Sequence, residues 1–316
     1  MSETPADGRR RLLEGIALGL AAACAWAFYN VGTDIGRADG FSSADLAMLR
    51  YGVTALLLAP FLILARSPSR GALTPWRLIF LTIAIGPPFA LLINTGYGIA
   101  PLAHAVVISP GTTMLTANIF SWLVDGRPMP VHRQIGMAML CLGLVAIAAD
   151  QPASKDAGIP VWLGDLCFVG SGFLWGVFTW LIGRWKLPAV ETIGAVSVLA
   201  AMVFLPVYLI GFGATELPVG FWLEQAVYQG ALGGCIAIVT FAACVARLGA
   251  GPAALFPALV PPFAVLLAVP LSGQWPSTLQ WLGITLATFG LIVSLDIIQM
   301  LLRRGAGSRA RAKDCG

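Results

Sequence analysis

Charged side chains are scarce in this chain of 316 residues, at 11%, while hydrophobic residues make up 58%. Soluble domains carry about a quarter charged residues, so a water-soluble globule is excluded and a bilayer becomes the natural solvent. Histidine is scarcer still. His104 and His132 are the only two, too few to suggest a metal centre. The six cysteines, at 24, 141, 167, 235, 244 and 315, form no CxxC pair and no Cys/His cluster. They read as small apolar side chains rather than disulfides or metal ligands, and neither metal nor cofactor is expected. GxSxG, HExxH and paired catalytic carboxylates are missing, which speaks against an intramembrane enzyme. Acids are missing from the middle of the apolar runs as well. Asp34, Asp45, Asp165, Glu191 and Asp296 all lie near run ends. An ion relay usually has a carboxylate at the midplane, so movement down gradients is favoured over ion coupling.

What the chain does have is apolar length. About 20 apolar residues cross a bilayer, and ten such runs are expected: 12–33, 43–65, 75–97, 101–123, 133–149, 161–183, 188–211, 219–245, 252–272 and 278–301. Arg9, Arg10 and Arg11 precede the first run and could open a signal peptide, but the run is long enough to span and is expected to stay. Breaks at Arg66–Arg70, Asp125–Pro128, Asp150–Lys155 and Gly249–Pro252 carry charge or turn chemistry. With the N-terminus inside, 16 cations fall in inner segments, and only Arg37 and Lys155 in outer ones, with Arg50 within a span. Such a bias follows the positive-inside rule and predicts an even span count with both termini cytoplasmic.

The halves repeat. Gly15, Trp26 and Asn30 recur as Gly164, Trp175 and Thr179. Ala100-Pro101 and Pro110 recur as Gly251-Pro252 and Pro261, and Gly126, Gly136 and Gly143 as Gly273, Gly283 and Gly290. Five helices per repeat is an odd number, so the second repeat is expected to enter from the opposite side, as in secondary transporters built from inverted repeats. The boundaries read as 12–150 and 160–302, with 1–11 and 303–316 as cytoplasmic tails.

In its order of motifs the chain resembles the drug/metabolite transporter superfamily, specifically its EamA-type members with ten helices. The residues that carry this are Gly15 to Trp26, Leu46-x-x-Leu49-Arg50, Ala100-Pro101-Leu102-Ala103-His104-Ala105-Val106 with Pro110, Phe256-Pro257-Ala258-Leu259-Val260-Pro261 with Gly273, and Leu282-Gly283 with Gly290. The chain departs where the family often has Gly-Glu after the fourth and ninth helices. It has Asp125-Gly126-Arg127 and Gly273-Gln274 there. The resemblance implies an all-α basket around a central cavity and a cargo of metabolites, amino acids or drugs, usually exported.

Buried polar groups in a membrane are candidate sites by default. Arg50 lies seven residues into the second span, about 10 Å deep. It is either an anchor for an anion or a structural partner of Asp45 or Asp34, or it snorkels outward. Trp26, Tyr29 and Asn30, with their counterparts Trp175 and Thr179, either line a pocket or pack the core. Asn94, Tyr97, His104, Tyr228 and Gln229 are cavity candidates, with hydrogen bonds between helices as the alternative. His104 could also couple protons. Pro87, Pro88, Pro110, Pro257 and Pro261 are candidate hinges.

The expected function is secondary transport of a small organic metabolite (amino acid, amine, aromatic or drug-like), exported by alternating access across the bacterial inner membrane. A channel or membrane scaffold is the alternative. The expected partners are that substrate and the lipid bilayer, with the chain as a monomer or homodimer. The basic tail from Arg303 to Lys313 reads as a cytoplasmic anchor near anionic lipid, not as a nucleic-acid patch.

Overall fold

The computed structural model describes residues 5–64, 73–126, 128–150, 154–156, 158–248, 253 and 256–294. The expected breaks at Arg66–Arg70 and Gly249–Pro252, Asp296 and the basic tail lie outside the described residues.

Every regular element among the described residues is helical. The first half holds α1 (Pro5–Ala38), α2 (Ser43–Leu64), α3 (Pro75–Ile85), α4 (Pro87–Ile99), α5 (Leu102–Leu123) and α6 (Val131–Ala149). The second holds α7 (Val161–Trp185), α8 (Ala189–Val207, extended by a π turn at Tyr208–Phe212), α9 (Val219–Gln225), a π-helical segment (Ala226–Ile236), α10 (Ala237–Leu248), α11 (Val260–Ser272) and α12 (Thr278–Ser294). Among the described residues, seven stretches are long and apolar enough to cross a membrane: α1, α2, α3 with α4, α6, α7, α8 with its π turn, and α9 through α10. The other three expected runs appear as α5 and two shorter apolar helices, α11 and α12. Although α5 has 22 residues, it carries His104, Ser109, three threonines and Asn118, which lower its hydropathy. The outer surface is apolar, with Leu56 76% and Ile210 90% exposed, a face that suits lipid and not water.

Contacts at the helix ends fix the directions. Asp34, near the end of α1, meets Lys155, which precedes α7. Glu14, near the start of α1, meets Arg247 at the end of α10. Thus α1 and α7, which begin the two repeats, run in opposite directions. The packing map also repeats: α5 lies on α7 as α11 lies on α1, and α4 lies on α7 as α10 lies on α1. The pairs α2–α8 and α6–α12 each join repeat-equivalent helices.

Irregular backbone falls at equivalent places. Pro87 and Pro88 end α3 at Gly86, because proline has no N–H to donate and cannot serve the Ile83 and Ala84 carbonyls one turn back; the Tyr51 hydroxyl lies at the break, 2.6 and 2.7 Å from the Ile85 and Gly86 carbonyls. In the second repeat the irregularity is the π segment, whose Gly230, Gly233 and Gly234 sit against Val53, Tyr29 and Thr54. Pro110 lies inside an unbroken α5. Pro257 starts a 3₁₀ turn, and Pro261 is buried in the first turn of α11, where a helix tolerates proline.

The glycines that marked the repeat interlock. A Cβ on Gly143 would lie 2.8 Å from the Gly283 carbonyl, and one on Gly290 would lie 2.7 Å from the Gly136 carbonyl. Small residues let membrane helices approach this closely. Gly290→Val should therefore part α6 from α12 and lower stability by roughly 2 kcal/mol. Gly183→Ala meets nothing within 4 Å and should hold or raise stability by up to about 1 kcal/mol. Thermal unfolding in detergent gives both signs.

Candidate functional site

Arg50 projects from α2 into the middle of the molecule and is only 7% exposed. Its guanidinium carbon lies 4.8 Å from the Tyr29 ring centroid, 5.4 Å from Phe89 and 5.8 Å from Trp175. The rings come from α1, α4 and α7, so both repeats build the box. Phe89 and Trp175 contact each other at 5.0 Å. The break at Pro87–Pro88 places Phe89 in the first turn of α4.

The two acids the sequence offered as structural partners of Arg50 are occupied elsewhere, and this corrects that reading. Asp45 accepts from the Ser42 amide (2.8 Å) and hydroxyl (2.7 Å), the Tyr208 hydroxyl (2.6 Å) and the Thr215 hydroxyl (2.5 Å). Asp34 accepts from Lys155 and, at 2.6 Å, from the Gln274 amide. Among the described residues, no carboxylate pairs with Arg50, and neither its Nη1 nor the Tyr29 hydroxyl has a hydrogen-bond partner. Cation–π contacts are worth about 2 kcal/mol each when desolvated, whereas burying an unpaired charge costs several kcal/mol. The site holds a cation that its surroundings only partly stabilise.

Polar layers close one end above this box. The Tyr97 hydroxyl donates to Asn30 Oδ1 at 2.5 Å, and the Asn30 amide donates to the Trp26 carbonyl at 2.7 Å. Beyond them Lys155 joins Asp34 to the Tyr97 carbonyl (3.3 Å), and Gln274 completes the closure. Toward the other end the box abuts an apolar plug of Leu58, Phe178, Leu181, Leu187, Val196 and Ile238. Past that plug Asp125 pairs with Arg184 and accepts from Trp180 Nε1 at 2.9 Å. The first closure joins the ends of α1 and α11. The second joins the ends of α7 and α5, their equivalents in the repeat.

The remaining candidates distribute as follows. Trp26 packs at 5.4 Å on Phe241, while Trp175 faces Arg50. Thr179 is exposed and donates back to the Trp175 carbonyl at 2.8 Å. Gln229 is fully buried and donates to Thr33 Oγ1 at 2.9 Å, and Tyr228 rests on Gly32. The Asn94 amide donates to the Ser43 carbonyl at 3.2 Å. His104 Nδ1 lies 2.8 Å from Asp165 Oδ1 in a buried pair between α5 and α7. His104→Ala strands that carboxylate and should cost roughly 3 kcal/mol. Asp165→Asn keeps a hydrogen bond and should cost less. Thermal unfolding of the two variants tests the order.

Sequence reading missed Phe89, Lys155, Gln274, Asp165 and the Asp125–Arg184 pair as parts of the arrangement. Signals existed for two of them. Phe89 directly follows the proline pair, and Lys155 is one of only two expected outer cations.

Comparison with known proteins bears on this architecture. The model of the EamA-like transporter family matches residues 13–149 and again 162–295, so the resemblance drawn from motifs holds. The uncharacterized inner membrane transporter YedA of Escherichia coli K12 is 26% identical over 255 residues, 78% of this chain and 80% of its own length. Its counterpart in Escherichia coli O157:H7 matches to the same extent. A crystal structure of a protein with 17% identity superposes with a TM-score of 0.61 over 89% of this chain and 96% of that one, a likeness of fold alone. The repeated matches and the apolar helices together make this a multi-pass membrane protein.

Proposed function

The chain belongs to the EamA-like transporter family, and on that premise we propose that it is a secondary transporter exporting a small organic metabolite across a bacterial inner membrane by alternating access. Ten transmembrane helices form two inverted five-helix halves with both termini in the cytoplasm. The cation bias of 16 inner to 2 outer supports that sidedness, and the name of the Escherichia coli relative supports the membrane. On this reading the Asp34–Lys155–Gln274 closure faces outward and the Asp125–Arg184 closure faces the cytoplasm. The cargo is an amino acid, an amine, an aromatic compound or a drug-like one.

One observation carries the reading: a buried polar site, Arg50, lies between two closures built from repeat-equivalent helix ends. Carriers of this architecture bind near the midplane at the interface of the repeats and rock about it. The broken α3–α4 and the π segment are the hinges, because irregular backbone can shift where a continuous ladder resists.

Counterflow in proteoliposomes tests the proposal. A carrier shows saturable uptake of labelled substrate that unlabelled substrate on the far side accelerates. Flux linear in concentration and indifferent to the far side would instead mark a channel.

A further inference from the structure

We infer that the Arg50 box binds a small organic monocarboxylate with a flat or branched apolar body and no ammonium group. The inference deepens the transporter reading and rests on it for its biological use, though binding itself does not. Arg50 Nη1 and the Tyr29 hydroxyl are both buried, belong to one cluster and lack a partner among the described residues. Both can donate, and a carboxylate offers two oxygens to receive them. The planar guanidinium suits that geometry. The Phe89 and Trp175 rings flank the same guanidinium and can shield the apolar body of a ligand whose head Arg50 holds.

The same surroundings reject an amine. An ammonium would approach an uncompensated Arg50 charge, and like charges repel most where water is excluded. The acids that could receive it are taken, Asp34 by Lys155 and Gln274 and Asp45 by Ser42, Tyr208 and Thr215. Among the unpartnered acceptors elsewhere, Asn94 Oδ1 and Gln229 Oε1 are neutral amide oxygens, and Asp165 Oδ2 belongs to the carboxylate already paired with His104 between α5 and α7. Of the cargo chemistries open to this family, the site therefore selects an acid lacking an amino group over an amino acid or an amine.

The full-length protein in detergent, titrated by calorimetry with four matched probes, tests this. The probes are 3-phenylpropanoate, 3-phenylpropanamide, phenethylamine and phenylalanine. The expected order places 3-phenylpropanoate tightest, with the amide about thirtyfold weaker, phenylalanine intermediate and phenethylamine without measurable binding. Arg50→Gln should erase the preference of acid over amide, and Tyr29→Phe should weaken acid binding by about fivefold. The wild-type series needs no variant, so misfolding of Arg50→Gln leaves the test intact. Phenethylamine or the amide binding as tightly as the acid overturns the inference, as does failure of all four to bind. Acid binding through Arg50 without counterflow of the acid would sustain the site and sink the transporter reading. Counterflow of an amine, unchanged in Arg50→Gln, would sustain transport and sink the site.

Discussion

Arg50→Ala should lower carrier-mediated exchange of an organic acid at least thirtyfold while the protein still inserts and unfolds at an unchanged or higher temperature. The two effects have opposite signs for one physical reason. Arg50 is 7% exposed and has no carboxylate partner among the described residues, so the resting fold bears its desolvation cost without an ion pair in return. Removing it relieves that cost and gives up the contacts with Tyr29, Phe89 and Trp175. In the loaded protein the balance reverses, because truncating a buried charged contact costs about 2–5 kcal/mol of binding, which is about thirtyfold or more at 1.4 kcal/mol per decade. A structural arginine would show the other pattern, with stability falling alongside transport. Exchange assays paired with thermal unfolding distinguish the two, and Arg50→Lys, which keeps the charge but loses the fork, should recover only part of the rate.

The second large effect concerns the closures. In a background without the native cysteines, Asp34→Cys with Gln274→Cys ties α1 to the end of α11, and Asp125→Cys with Arg184→Cys ties α5 to α7. A bifunctional thiol reagent across either pair should cut exchange by at least about tenfold, because each half-cycle must open one end. The uncrosslinked double variants are the reference for each reagent and should keep measurable exchange; at Asp125–Arg184, where the arginine side chain is 43% exposed, the lost pair should cost about 1 kcal/mol or less. The two ends differ in what else holds them. The end closed by Asp125 and Arg184 has the apolar plug around Phe178 and Leu181, whereas the other end depends on Asn30, Tyr97, Asp34, Lys155 and Gln274. Breaking the Asp34 closure with Lys155→Ala should therefore shift that end toward opening more than Arg184→Ala shifts the opposite one. Labelling of a cysteine introduced at Asn30 by an impermeant thiol reagent reads that shift.

Much of this was legible in the sequence because symmetry writes itself twice. Gly136 and Gly143, with their echoes Gly283 and Gly290, identified the repeat, and in the fold the same glycines form the α6–α12 contact. Arg50 was legible because a cation within an apolar run has few benign explanations. Its partners were not, since contacts across the fold leave no local trace. Besides Ser42, the groups that saturate Asp45 lie 163 and 170 positions away, so a neighbour five residues back was the natural partner to expect for Arg50. Phe89 was one of 16 phenylalanines and carried no mark beyond the prolines before it. The π segment escaped notice because its one-residue widening hardly alters an apolar pattern, and only the cluster of Gly230, Gly233 and Gly234 hinted at it. Gln274 stands where the family often has glutamate. That departure pointed to no role for the position, yet its amide reaches Asp34 and forms part of the closure there.

The central claim is that the two ends open in alternation around Arg50. Spin-label distances measured across both closures in one preparation, Asp34 to Gln274 and Asp125 to Arg184, test it most directly. With and without a bound organic acid, the populations should be anticorrelated, so that the outer distance lengthens as the inner one stays short, and the reverse. Simultaneous opening of both ends, or distances fixed in every condition during active exchange, would contradict the account.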